Sequence, residues 1–392
     1  MKLKPYYLGL VLLILLGLTA SSAFGVGVAG TVTGGNFPAC VDPANTNTST
    51  VKIAGKQVAP GGLVRVPTGS TCLSSETTLN LNSYVKTILV SPGPDNVVNG
   101  NNLRNAVSNA PAGTLVKVEP GTSDLVTTSL RMKQGVDLEG SGERLTILTS
   151  QIGNINLPPF STVVLANNSE LRFLNIDNTG NSNYNVAVSG WGLNKTAKLT
   201  NVTITVNGSG IGIYNSYSTG NYTASSPTIQ NSTISVTGGG YGIYNDTSSS
   251  PTIINSTITI IGSGRSYGIY NETSSSPTIQ NSAITATGGS DSYGIYNNFT
   301  SASSIRNSTI IANGSSRSYG IFSQTSSIII QNTTITGSGP DSSVSIFNYY
   351  SPIKVSNSQL VGIVVGGGLN GVGFTCVGNY DANFAALGTE CT

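Results

Sequence analysis

No histidine occurs anywhere in the chain. That removes the commonest general base at neutral pH, and with it any Ser-His-Asp or Cys-His pair. Charge is scarce as well. Charged residues are 9% of the 392 positions, 18 basic and 16 acidic, against roughly a quarter in ordinary soluble proteins. The surface must be polar without charge, so Ser, Thr and Asn must carry it. Only four cysteines are present. They are widely spaced and form no C-x-x-C, so neither a metal centre nor a redox centre is expected, and no cofactor. The near-neutral balance excludes a nucleic-acid binder that tracks phosphates, and electrostatic docking on an anionic membrane.

The N-terminus reads as a secretory signal over residues 1–23. Lys2 and Lys4 precede an apolar run at 8–18, and Ser21, Ser22 and Ala23 form a small-residue cleavage site. The run is shorter than the ~20 residues that span a bilayer. The apolar stretch at 361–365 is shorter still. No membrane span is expected after cleavage, and the mature chain is expected to be secreted or at the cell surface, or periplasmic. Processing removes Lys2 and Lys4 and leaves 16 basic residues against 16 acidic ones.

An internal repeat dominates the rest. PTIQNSTI at 227–234 recurs as PTIINSTI at 251–258 and PTIQNSAI at 277–284, with looser copies beginning at 303, 328 and 353. Its asparagines are Asn175, Asn201, Asn231, Asn255, Asn281, Asn307, Asn332 and Asn357, spaced 24 to 30 residues apart. A second motif, YGIY at 241–244, runs in step at Tyr267 and Tyr293 and continues as YGIF from Tyr319. The period is that of a solenoid. Thr, Ile, Val, Tyr, Ser and Gly in period-two alternation exclude helical repeats. Three short strands and three turns in about 25 residues make one coil of a parallel β-helix, and each coil contacts only its neighbours. The asparagines are expected at a sharp bend, since Asn tolerates the left-handed conformation. There they would form an internal hydrogen-bonded ladder. Several, such as Asn231, also match N-x-Ser/Thr, but a buried ladder would make them inaccessible.

The four cysteines suit an oxidising compartment. Of the three pairings, the local one is expected, Cys40–Cys72 and Cys376–Cys391, because the array holds the two ends apart. Residues 24–90 are expected to form a small disulfide-closed module, 91–365 the β-helix and 366–392 a C-terminal cap. Residues 102–110 read as a short amphipathic capping helix with Leu103, Ala106, Val107 and Ala110 on one face.

APAGTLVKVEPGTSDL and VDLEGSGERLTIL, within 95–150, resemble the opening coils of the pectin-lyase-like right-handed β-helix superfamily, and the repeats in 170–362 resemble its later coils. The module from Cys40 and the tail TCVGNYDANFAALGTEC are similar to segments of uncharacterised secreted bacterial β-helix proteins. The resemblance implies an all-β, right-handed parallel β-helix. It does not select one function, because the fold hosts lyases, hydrolases, tailspikes and adhesins.

The pectinolytic branches imply a cluster of Asp with an Arg or Lys base. Between 181 and 365 this chain has only Asp246, Glu272, Asp291 and Asp341 as acids. Asp246 and Glu272 fall at equivalent turns and should stack ~4.8 Å apart, near the separation used in retaining glycoside hydrolysis. Such turns also favour these residues for purely structural reasons. Arg265, Asp291, Arg317 and Asp341 are expected to form a column of alternating charge.

Two surfaces could bind. With Ile243 inward, strict alternation turns Tyr214, Tyr244, Tyr270, Tyr296, Phe322 and Phe347 outward in one column. Beside them Gly212, Gly242, Gly268, Gly294 and Gly320 would make a shelf without side chains. Aromatic faces on such a shelf would suit sugar rings, while the same rings could simply stack on one another. The second surface is a pair of Thr ranks, among them Thr203/Thr205, Thr257/Thr259 and Thr334/Thr336, interrupted at Ala283 and Ile311. It resembles the ice-binding face of some β-solenoid antifreeze proteins, though strand propensity alone favours Thr.

The reading that emerges is a secreted or surface β-helix with a non-catalytic binding or structural role. Its expected partners are polysaccharide, along the aromatic column, or a surface protein. A lyase or hydrolase of the same fold is the principal alternative, and ice binding the third.

Overall fold

The computed structural model describes residues 86–153, 161–180, 185–217, 223–366 and 373–391, with five short strands before them. Two units are present, Met1–Thr87 and Ile88–Thr392. In the first, Phe37–Val41 pairs antiparallel with Val64–Arg65 and Thr77–Leu81. The expected signal peptide and the Cys40–Cys72 disulfide lie outside the described residues.

The second unit is a parallel β-solenoid of about ten coils, each of about 26 residues. One coil shows how the sequence dictates the shape. Its first strand is Thr228–Gln230, its second Thr233–Thr237 and its third Gly240–Asn245. Ile229, Ile234, Val236 and Ile243 are fully buried. Each stacks on its counterpart one coil on, Ile253, Ile258, Ile260 and Ile269. The core is thus a set of aliphatic columns along the axis. Burying a Val or Ile side chain contributes ~1.5–3 kcal/mol, and the coils repeat that gain.

A left-handed residue separates the first two strands. Asn201, Asn231, Asn255, Asn281, Asn307, Asn332 and Asn357 all have φ between 49° and 52°. This bend resets the alternation, so the next residue points inward: Ser232, Ser256, Ser282, Ser308, Thr333 and Ser358 are buried. Each inward hydroxyl closes two bonds. Ser256 Oγ donates to the Ile254 carbonyl at 2.8 Å and accepts the Ser232 N–H at 3.2 Å.

Two expectations about the asparagines are corrected. First, Asn175 is not in the column. It pairs with Thr203, and Phe173, with φ of 57°, occupies the bend. Phe173 to Asn201 is 28 residues, two more than the 26 that Asn175 would give, so spacing alone misplaced the position. Second, the column faces solvent. Asn231, Asn255, Asn281, Asn307 and Asn332 are exposed, since the inner side of the bend is filled by the serine. They are nonetheless bonded: Nδ2 of Asn255, Asn281, Asn307 and Asn332 each donates to Oδ1 of the preceding Asn at 3.2 Å. Burial therefore does not shield the N-x-Ser/Thr motifs at Asn231, Asn255, Asn307 and Asn332.

The internal amide ladder lies elsewhere, on the residue after each YGIY. Asn215, Asn245, Asn271 and Asn297 are wholly buried. Each donates to the next at 2.8–2.9 Å, and Ser303 Oγ closes the series on Asn297 at 2.7 Å. These donors point toward the C-terminus, whereas those of the exposed ladder point toward the N-terminus, so the two amide dipole rows oppose each other.

Helix α1 (Asn96–Asn109) sits at the N-terminal end. It begins six residues before the expected start because Asp95 caps it, accepting the Val98 N–H at 2.8 Å. Leu103 and Val107 are fully buried, as is Ala110 just past its end. The helix meets the Asp124 backbone at Gly100, where an added Cβ would lie 2.1 Å from the carbonyl oxygen. At the other end Phe374–Val377 pairs in parallel with Ile353–Ser356, so the segment expected as a cap continues the stack. The Cys376–Cys391 disulfide closes it, with Cα atoms 5.5 Å apart. Among the described residues no helix is long and apolar enough to cross a membrane.

The ladders differ in what they tolerate. Asn271→Ala orphans the Asn245 donor in the core, while Asn297 Oδ1 keeps its bond from Ser303, and should cost about 1–3 kcal/mol for the one buried orphan. Asn255→Gly keeps the left-handed bend and loses only exposed bonds, so its cost should stay below about 1 kcal/mol. Urea unfolding of the two variants, followed by circular dichroism, checks the contrast.

Candidate functional site

The third strand of each coil carries the aromatics. Strict alternation would leave Tyr241 inward beside Ile243. Instead Gly242 and Ile243 both face the core. A Cβ on Gly242 would sit 2.4 Å from Ile258 Cγ2 and 2.5 Å from the Gly268 carbonyl oxygen, so only glycine fits between the coil backbone and the core. The glycine column is therefore internal, which corrects the expected outward shelf. With two consecutive residues inward, the tyrosines on either side both emerge on the outer face, and their rings meet edge to face at 5.1 Å.

Two aromatic columns result. The expected one, Tyr214, Tyr244, Tyr270, Tyr296, Phe322 and Phe347, is outward and in register. The second, Tyr241, Tyr267, Tyr293 and Tyr319, flanks it edge to face, with Tyr241 and Tyr319 half-buried and Tyr267 and Tyr293 buried beneath their neighbours. Tyr214 is tilted 54° to Tyr244, and beyond that pair the rings within the columns stack closer to parallel: Tyr270 on Tyr296 at 5.0 Å and 6°, Phe322 on Phe347 at 4.9 Å and 4°, Tyr267 on Tyr293 at 4.9 Å and 6°. Between columns the contacts are T-shaped, such as Tyr267–Tyr270 at 5.4 Å and 89°. Most ring faces are thus occupied by other rings. What the strip of ten rings offers is the edges and tips of the eight that are half-buried, since Tyr267 and Tyr293 are buried.

Polar margins border the strip. On one side Asp246 accepts from Ser216 Oγ at 3.0 Å and from the Tyr214 hydroxyl at 3.3 Å. Glu272 accepts a short bond from the Tyr244 hydroxyl, and Asn298 reaches the Tyr270 hydroxyl at 3.5 Å. The two carboxylates stand on adjacent coils as expected, each tied to a phenol. On the other side Asp291, buried, takes Arg317 through Nε and Nη2 at 2.9 and 2.8 Å, with Arg265 Nε at 3.5 Å. Asp341 is not in this column. Register places Ser342 over Arg317, and Asp341 accepts from Ser316 Oγ at 2.5 Å instead.

A further acid stands apart, on the second strand of an earlier coil. Asp177 pairs with Thr149 and Thr205. Its Oδ1 is buried without a hydrogen-bond partner, as is Oδ1 of Asn175 on the same face. Burial pushes the Asp177 carboxyl upward. Glu143 reaches the adjoining Thr203 hydroxyl at 2.5 Å. Sequence reasoning passed over Asp177, whose only signal was an acid in a strand otherwise rich in apolar and amide residues.

The tyrosines are hard to ionise. Burial pushes Tyr214 and Tyr267 up to about 12, and Tyr244, Tyr270, Tyr293 and Tyr296 upward as well, with Glu272 adding to the effect at Tyr244. Unfolded tyrosine titrates near 10. Between about pH 10 and 12 the unfolded chain sheds protons that the folded chain keeps, so stability falls as pH rises through that window and is intact below it. The melting temperature should therefore drop above about pH 10, and the part of the phenolate absorbance that belongs to the eight column tyrosines, out of 17 in the chain, should appear only with unfolding. Absorbance from those eight rising well before loss of structure would show that the stacks do not resist ionisation.

Residues 196–385 match the family described as "Right handed beta helix region". No curated protein matches the chain. Among solved structures, pectate lyase Pel9A is 14% identical with a TM-score of 0.49, over 77% of this chain and 81% of that one. The A-module of the Azotobacter vinelandii mannuronan C-5 epimerase AlgE4 is 13% identical with a TM-score of 0.45, over 76% and 95%. The polygalacturonase from Erwinia carotovora ssp. carotovora is 13% identical with a TM-score of 0.44, over 78% and 95%. The stacked parallel coils and the matched segment agree: the repeat array over residues 196–385 is similar to right-handed β-helix regions.

Proposed function

We propose that the chain is an exported, non-catalytic β-helix that binds polysaccharide along the aromatic strip, edge-on rather than by face stacking. The observation that carries this reading is the strip itself: ten rings over six coils, eight of them half-buried, stacked on one another so that edges are what a ligand can reach. Aromatic edges carry partial positive charge and phenols both donate and accept. A polymer with hydroxyls at regular intervals meets both, with Asp246, Glu272 and Asn298 as further partners along one margin. The Cys376–Cys391 disulfide fits export to an oxidising compartment.

Tyr270→Phe/Tyr296→Phe tests the contact without dismantling the stack, since Phe322 and Phe347 already occupy the same column. Glycan-array binding by the whole protein should weaken about tenfold in the double variant, at roughly 1.4 kcal/mol per decade, with unfolding unchanged. Silence of the natural protein across a broad array, or unaltered binding by the variant, would overturn the reading.

One observation favours the enzymatic alternative, a polysaccharide lyase or hydrolase. Asp177, with its Oδ1 buried and unbonded beside Asn175 and the Glu143-bonded Thr203 and its carboxyl pushed upward by burial, has the character of a proton donor. If it acts, polysaccharide cleavage by the natural protein should disappear in Asp177→Asn. If the natural protein cleaves nothing, this reading fails and Asp177 is structural.

A further inference from the structure

The surface of the second strands is unlike the aromatic one. Five consecutive coils contribute Thr233–Thr237, Thr257–Ile261, Ala283–Thr287, Thr309–Asn313 and Thr334–Ser338. Each turns three residues outward and two inward. They pair in parallel without a bulge, every residue opposite its counterpart. The result is a lattice of fifteen outward side chains in three ranks, nine of them Thr and none charged. Neighbours along the axis stand ~4.8 Å apart and neighbours along a strand ~6.6 Å, so the lattice covers roughly 13 by 19 Å.

Two features distinguish this lattice from an ordinary solvated sheet. Among the described residues no hydrogen bond engages the hydroxyls of Thr257, Thr259, Thr285 or Thr309, so all four are free toward solvent. The non-hydroxyl positions are mainly apolar, and Ile261 is 53% exposed at the edge of the face. The fifteen positions also carry no Lys, Glu, Asp or Arg, in keeping with a chain that is only 9% charged. Charges at strand surfaces normally protect against association.

We infer that this face binds ice. A threonine hydroxyl donates one hydrogen bond and accepts two, while its methyl group keeps water from solvating the backbone around it. Held rigidly by the ladders below, such groups order water on the two repeats of the lattice. Those repeats are close to the spacing of oxygen rows on the surfaces of hexagonal ice. A charged face would orient water radially around its ions and break the match. A dissolved sugar or peptide has no second repeat to satisfy, so a crystalline solid is the ligand that uses the whole face. The inference is independent of the aromatic strip, which lies on another sheet.

The test is inhibition of ice recrystallisation by the whole protein, beside Thr259→Lys/Thr285→Glu. These two positions are adjacent in one rank, so the introduced charges attract and the fold is spared. The natural protein should halt recrystallisation at a concentration where an unrelated globular protein does nothing. The charged variant should need at least about tenfold more, with an unchanged unfolding midpoint. Tyr270→Phe/Tyr296→Phe should behave as the natural protein. An inactive natural protein, or full activity in the charged variant, would overturn the inference. So would adsorption to crystalline cellulose or chitin that depends on Thr259 and Thr285 while ice is unaffected.

Discussion

Parallel stacking in register is the constraint on which everything else depends. Once coils repeat at one strand spacing, every residue faces its counterpart, and each position in the sequence becomes a column. A column persists only if its members satisfy one another at ~4.8 Å. Aliphatics do so by packing, amides by donating to the next amide, phenyl rings by stacking and glycines by leaving room. The low charge of the chain follows from the same rule, since an ionised column of one sign would repel along its whole length.

The solenoid was legible because columns leave a periodic trace. The aliphatic positions, the left-handed asparagines and the C-terminal disulfide pair could be read from spacing and residue chemistry. What spacing could not give was direction. Nothing in the recurrence of Asn231 and its counterparts says whether the amide points in or out. That is decided by the left-handed bend, which hands the inward place to Ser232. Nor does spacing distinguish a coil of regular length from one two residues longer, which is how Asn175 was mistaken for a member of the column held by Phe173.

The candidate site shows the same limit. Period-two alternation placed Tyr244 outward correctly but sent Tyr241 inward. The physical reason is local, because glycine allows the strand to turn two consecutive residues toward the core. A second aromatic column therefore appears where a bare shelf was expected, and rings that would have offered their faces to a ligand spend them on each other. Asp177 was invisible for a different reason. Its column holds Thr149, Thr205 and Ser235 at the neighbouring levels, so no acid recurs there, and its burial depends on packing that no periodicity encodes.

The column of Arg265, Asp291 and Arg317 has a consequence for how such a chain can grow or shrink. Most columns are uniform, so losing or duplicating one coil would leave them unchanged. This column alternates in sign. Excising the Asp291 coil would bring two guanidinium groups together, and repeating it would set two buried carboxylates face to face. Over this stretch the solenoid is in effect counted in pairs, and its length is tied to the parity of its coils as well as to its hydrophobic core.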